Sequence, residues 1–122
     1  MITGAVNTRR EAVVRLRVQG TEGREQEIEA IVDTGFNGSI ALPSALVSWL
    51  GLPFRGRGRA LLADGTETLF DVHEGTVVWD GRLRRVLVDA VDSDPLIGMG
   101  MLYGCRLTIQ VEEDGSVTIE AL

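Results

Sequence analysis

The sequence predicts an all-β protein, a small closed barrel of antiparallel hairpins with one or two short helices. Three observations lead there. Apolar residues recur with a period of two through most of the chain. Asp-Gly dipeptides stand at three junctions between such runs, and only one stretch has a helical period.

The alternating runs come in order. "VRLRV" (Val14 to Val18) and "EIEAIV" (Glu27 to Val32) open the series, and the inward face of the second is expected to be Ile28, Ala30 and Val32. "RVLVDAV" (Arg85 to Val91), "RLTIQV" (Arg106 to Val111) and the shorter "VTIE" (Val117 to Glu120) follow. Asp64-Gly65, Asp80-Gly81 and Asp114-Gly115 suit tight hairpin turns, because both residue types tolerate positive φ. "LLADGTETLF", "TVVWDGRLRRVLV" and "LTIQVEEDGSVTIE" therefore read as hairpins. The helix is "PSALVSWLG", Pro43 to Gly51, with Pro at its start, Gly past its end and Leu46, Trp49 and Leu50 at helical spacing. A second helical turn is expected after Gly98. Short antiparallel strands of this number bury their edges best by curling into a barrel.

At 122 residues the chain is one domain long, residues 1–122, with no linker, repeat or low-complexity tract. A net charge of −6 disfavours binding to nucleic acid or anionic membrane. All twelve basic residues are arginine. "RGRGR" (Arg55 to Arg59) reads as an exposed loop entering a strand rather than as a nucleic-acid patch. One cysteine, Cys105, allows no intrachain disulfide, and one histidine beside it excludes a tetrahedral zinc site of the usual spacing. The N-terminal stretch lacks the long apolar core of a signal peptide, and no run is long enough to span a bilayer as a helix. A reducing, cytoplasmic setting is expected.

"AIVDTGFNGSIALP", Ala30 to Pro43, breaks an apolar strand with Asp33, Thr34 and Gly35 and then resumes it. An isolated Asp-Thr-Gly is an ordinary turn in which the Asp caps its own backbone. Here, however, strand-like apolar sequence flanks it on both sides. A hairpin with its tip at Asp64-Gly65 follows about thirty residues later, and "PLIGMGML" (Pro95 to Leu102) adds an apolar pair, a glycine and a helical turn.

In this order the segments resemble the retropepsin-like aspartic proteases, single-domain relatives of pepsin, and in particular the small bacterial proteins that carry DTGF. The resemblance spans nearly the whole chain and implies an acid-protease-like barrel. It also implies an aspartic endopeptidase that needs no metal or cofactor and acts on a peptide or protein substrate. Asp33 would be the catalytic carboxylate. The Thr34 hydroxyl would hydrogen-bond across to a second active-site loop, and Gly35 would let its N–H approach the carboxylate. Phe36 would face the substrate, and the hairpin from Ala60 to Phe70, with Ala63, Asp64, Gly65 and Thr66 at its tip, would be the flap. "LIGMG" would pack beneath the active-site loop.

Carboxylate proteolysis needs two acids sharing one proton, one activating water and the other protonating the carbonyl oxygen. The chain contains no second such triplet. Asp64, Asp80 and Asp114 belong to turn dipeptides, "DAVDSDP" reads as a polar approach to the next strand, and no remaining acid has a matching hydrophobic frame. A dyad therefore needs two copies of Asp33 across the two-fold axis of a homodimer.

Phe36 and Asn37 replace the Ala-Asp of viral relatives, and Met99 and Gly100 replace residues that are often charged or amide. Subsite preferences therefore do not carry over. "SVTIEAL" either seals a dimer, as interleaved chain ends do in the viral enzymes, or completes the chain's own barrel. His73 and Cys105 lack the frame of a Cys–His nucleophile pair. Two other readings keep the same residues: a peptide-binding or dimerisation module with little turnover, and a structural barrel with an incidental DTG.

Overall fold

A computed structural model describes all residues, 1–122, as ten strands and two short helices. In chain order these are β1 (Ile2–Val6), β2 (Ala12–Gln19), β3 (Glu25–Val32), β4 (Ile40–Leu42), α1 (Ser44–Leu50), β5 (Phe54–Leu61), β6 (Glu67–Trp79), β7 (Arg82–Ala90), β8 (Leu96–Ile97), α2 (Met99–Leu102), β9 (Cys105–Ile109) and β10 (Ser116–Ala121). One sheet runs β5-β6-β7-β4-β8-β3-β2-β1-β10-β9, and β6 also pairs with β2. That extra pairing closes β2, β3, β8, β4, β7 and β6 into a six-stranded barrel.

Hairpins alone do not close this ring. The β3–β8 and β4–β7 pairings are parallel, with Ile31 opposite Leu96 and Ile40 opposite Val88. The short strands β4 and β8 are wedged between longer ones, and the crossover through α1 lets β4 lie beside β7 in the parallel sense. Inside the ring the alternation holds. Val14, Leu16, Ile28 and Ala30 point inward from β2 and β3, as expected from their period, and meet Ile40, Val88 and Ile97. Val32 is only half-buried, since it lies at the rim where the chain turns into the Asp33 loop. Each fully buried aliphatic side chain of this set contributes roughly 1.5–3 kcal/mol over exposure.

Helix α1 forms where its flanking Pro43 and Gly51 set it, and Gly51 closes it in the left-handed conformation (φ 65°). Its buried face is Val47 and Leu50. Trp49, expected on that face, is exposed instead, with the Arg24 guanidinium 5.8 Å from its ring centre. The helix has only seven residues, and one turn carries Trp49 past the contact stripe. The expected second helical turn is α2.

The Asp-Gly turns differ from one another. Only Asp80-Gly81 has both residues at positive φ (51° and 77°), the requirement for a two-residue hairpin. At Asp64-Gly65 the glycine alone is left-handed (φ 85°). At Asp114-Gly115 the aspartate alone is (φ 59°), and residues 110–115 form a longer loop that exchanges backbone hydrogen bonds with Val6. Strand β9 accordingly ends at Ile109, two residues before the alternation does.

"RGRGR" is strand, not loop. It forms the middle of β5 and pairs with β6, Gly56 opposite Val72 and Gly58 opposite Phe70. The alternation puts glycines on one face and Arg57 and Arg59 on the other, where they reach Asp71 (3.6 Å) and Glu67 (3.9 Å). β10 pairs with β1 on one side and β9 on the other, so "SVTIEA" extends its own chain's sheet. No helix is long and apolar enough to cross a membrane.

Candidate active site

The loop from Asp33 to Ser39 is held by backbone hydrogen bonds to the segment that starts at Ile97. The Asp33 N–H donates to Ile97 O (2.9 Å), and Gly98 N–H donates to Ser39 O (3.0 Å). Met99 N–H reaches Phe36 O (2.8 Å), and Gly100 N–H reaches Gly38 O (3.1 Å). Together these satisfy backbone groups that an irregular loop would otherwise leave to water. "LIGMG" thus lies against the loop, as the sequence led us to expect. Gly98 is buried there with ordinary dihedrals, and its reason is space: a Cβ would strike the carbonyl oxygens of Phe36 and Gly38.

Asp33 follows directly on the end of β3 and is half-buried. Its Oδ1 accepts the Gly35 N–H at 3.0 Å, and its Oδ2 has no partner within the chain. A Cβ on Gly35 would meet only Asp33 Oδ1, at 3.3 Å, so crowding there is mild rather than forbidding. Thr34 is exposed, and its hydroxyl makes no hydrogen bond in the chain. Beside Asp33 lies a mostly apolar depression of about 440 Å³, lined by Ile31, Val32, Leu96, Ile109 and Val111 among others.

The structure groups the expected site residues in two places. Asp33, Thr34, Gly35 and Phe36 share one loop. Ala63, Asp64, Gly65 and Thr66 form the exposed tip of the β5–β6 hairpin, and no hydrogen bond joins the two groups. At the tip, Asp64 Oδ1 accepts both the Thr66 hydroxyl (2.6 Å) and the Thr66 N–H (2.9 Å). These bonds, the hydroxyl's first, hold the Asp64 carboxyl below its ordinary value of 3.8. A carboxyl depressed in the folded state stabilises it fully above the unfolded value and loses that contribution as pH falls through the lowered one. We therefore expect the Thr66 amide to lose hydrogen-exchange protection as pH falls below about 3.8 while core amides keep theirs. Unchanged protection at Thr66 would contradict this.

Asp89, the first residue of "DAVDSDP", lies within a strand and not in a polar approach to one. It stands on β7, between Ala41 of β4 and Val72 of β6, half-buried and with no hydrogen-bonding or ionic partner. Burial pushes its carboxyl above the ordinary range. The signal was present in "RVLVDAV": an acid inside an apolar strand rather than in a polar approach to one. The frame around Asp89 is therefore hydrophobic, contrary to the expectation for every acid other than Asp33. His73 and Cys105 stand on β6 and β9, strands that do not pair. No group of His, Cys, Asp and Glu side chains is placed to hold a metal ion.

No protein-family model matches the sequence, and no curated protein matches it. Among solved structures, the chain is similar to a retropepsin-like aspartic protease from Rickettsia conorii, with a TM-score of 0.58 over 99% of this chain and 90% of that one. The chain has a retropepsin-like fold. Sequence identity across the match is 19%, so what the two share is the architecture. In this fold the barrel presents one Asp-Thr-Gly loop, with one carboxylate oxygen fixed and the other free.

Proposed function

We propose that the chain is a homodimeric aspartic endopeptidase, with Asp33 of each subunit forming the dyad. The observation that carries this reading is the half-exposed Asp33, on a loop braced by the segment after Ile97, with Oδ1 fixed by Gly35 and Oδ2 unpartnered. A single carboxylate so placed is half of a proton-sharing pair. Two such groups a few ångströms apart cannot both ionise, so together they hold one proton. The ionised one takes a proton from water as the water oxygen adds to the scissile carbonyl carbon. The protonated one gives its proton to the carbonyl oxygen. Collapse of the tetrahedral species breaks the C–N bond: the leaving nitrogen takes the proton that the first carboxylate accepted, and one hydroxyl of the gem-diol returns its proton to the second carboxylate, so that a carboxylic acid and an amine leave and the dyad again holds one proton.

Thr34, exposed and unpaired in one chain, supplies a hydroxyl for the partner loop. The β5–β6 hairpin serves as the flap, with Gly56, Gly58, Phe70 and Val72 on one face. Phe36 and the tip residues Ala63 to Thr66 contact the substrate, and residues 1–122 act as one domain. Cleavage of a peptide library is the test. Hydrolysis is expected to be blocked by statine-type inhibitors, with specific activity falling on dilution as the dimer dissociates. Cleavage that persists in a monomer, or no cleavage at any concentration, would overturn the proposal. Peptide binding without cleavage would instead leave a capture module on the same fold.

A further inference from the structure

Asp89 sits in a row that crosses most of the barrel. Residues opposite one another in a ladder share a face. Ile31 lies opposite Leu96, Leu96 opposite Ala41, Ala41 opposite Asp89, and Asp89 opposite Val72. The row is apolar except for this one carboxylate. Asp33 stands two residues beyond Ile31, just past the end of β3, and shares with Ile31 and Leu96 the lining of one depression. The Asp33–Ser39 loop borders the row as well. Asp89 Oδ2 is 3.2 Å from the point a Cβ on Gly38 would occupy, and two carbons of the Phe36 ring are 2.6 Å from it. The ring and the carboxylate thus both come close to the place where Gly38 carries no side chain.

We propose that Asp89 is a specificity-determining residue that selects a cationic side chain, arginine or lysine, of the bound peptide; this rests on the endopeptidase reading above. A half-desolvated carboxylate without a partner is costly, and a cation brought by the ligand removes that cost. The chain supplies none of its own. Arg85, on the same face of β7, is held by Glu74 (2.6 Å), which also takes Arg55 (2.8 Å). Arg84 is spent on the carbonyls of Met101 (3.0 Å) and Gly100 (3.3 Å). Burial already pushes the Asp89 carboxyl upward, the direction that a bound cation would reverse.

The test uses statine-containing peptides carrying arginine, lysine, citrulline or norleucine at one position at a time, with binding measured by calorimetry and matched substrates assayed for cleavage. At one position, wild type is expected to bind the arginine peptide about tenfold more tightly than the citrulline peptide. Asp89→Asn, and Asp89→Leu, which completes the apolar row, are expected to bind both within about twofold. Equal binding of arginine and citrulline peptides by wild type, or an arginine preference that survives both substitutions, would overturn the role of Asp89 even if cleavage proceeds. Loss of the preference in both variants with no cleavage by wild type would support Asp89 and instead overturn the endopeptidase reading.

Discussion

Asp33→Asn is expected to reduce peptide hydrolysis by at least about a thousandfold while leaving the fold and the dimer in place. An amide neither takes a proton from water nor holds one for the carbonyl oxygen, and in a homodimer the substitution removes both acids together. The structural cost is small, because the amide Oδ1 still accepts the Gly35 N–H that now reaches the carboxylate at 3.0 Å. The comparison to make is cleavage rate against thermal midpoint and sedimentation. A variant that still cleaves at a rate near wild type would remove Asp33 from the chemistry and with it the two-fold dyad. A variant that unfolds would say that the carboxylate is structural.

The second large effect is steric. Gly98→Ala is expected to destabilise the chain by about 2–4 kcal/mol, a sizeable part of the total stability of a small domain. Gly98 has extended dihedrals that any residue adopts (φ −115°, ψ −174°), so alanine brings no backbone penalty. The cost is contact: the new methyl meets two backbone carbonyls of the Asp33 loop, which cannot rotate away as a side chain would. Urea unfolding measures it, and peptide cleavage is expected to fall along with stability because the loop must shift. Gly35→Ala is the control. Its methyl would meet only Asp33 Oδ1, at 3.3 Å, so stability changes little. Equal stability of the two variants would show that the contact between the loop and the Gly98 segment is softer than the geometry says.

Strand positions were legible in the sequence because a period of two survives wherever one face is buried, as at Ile28 and Ala30. Barrel closure was not. β4 has three residues and β8 two, too few for any period to register, and their parallel partners lie about fifty and sixty-five residues away along the chain. "RGRGR" misled because glycine is a poor strand former and the run has no apolar residue to show a period. It pairs as an edge strand because β6 supplies its hydrogen bonds and acids meet its arginines. The Asp33 loop was legible from its apolar frame. Asp89 is legible as an acid within an apolar run, but its row is not, since the neighbours in it come from β4, β6 and β8, and only the fold sets them side by side.

The pairing of β10 with β1, Ile2 opposite Ile119 and Thr3 opposite Thr118, bears on when the proposed enzyme becomes active. Within one chain β1 pairs with β2 and β10, and β10 with β1 and β9, so neither strand needs a second chain to form. In the proposed dimer, folding of each chain would then not depend on assembly. A newly made chain would be a finished but silent half, and the amount of protein present would act as the switch that turns it on.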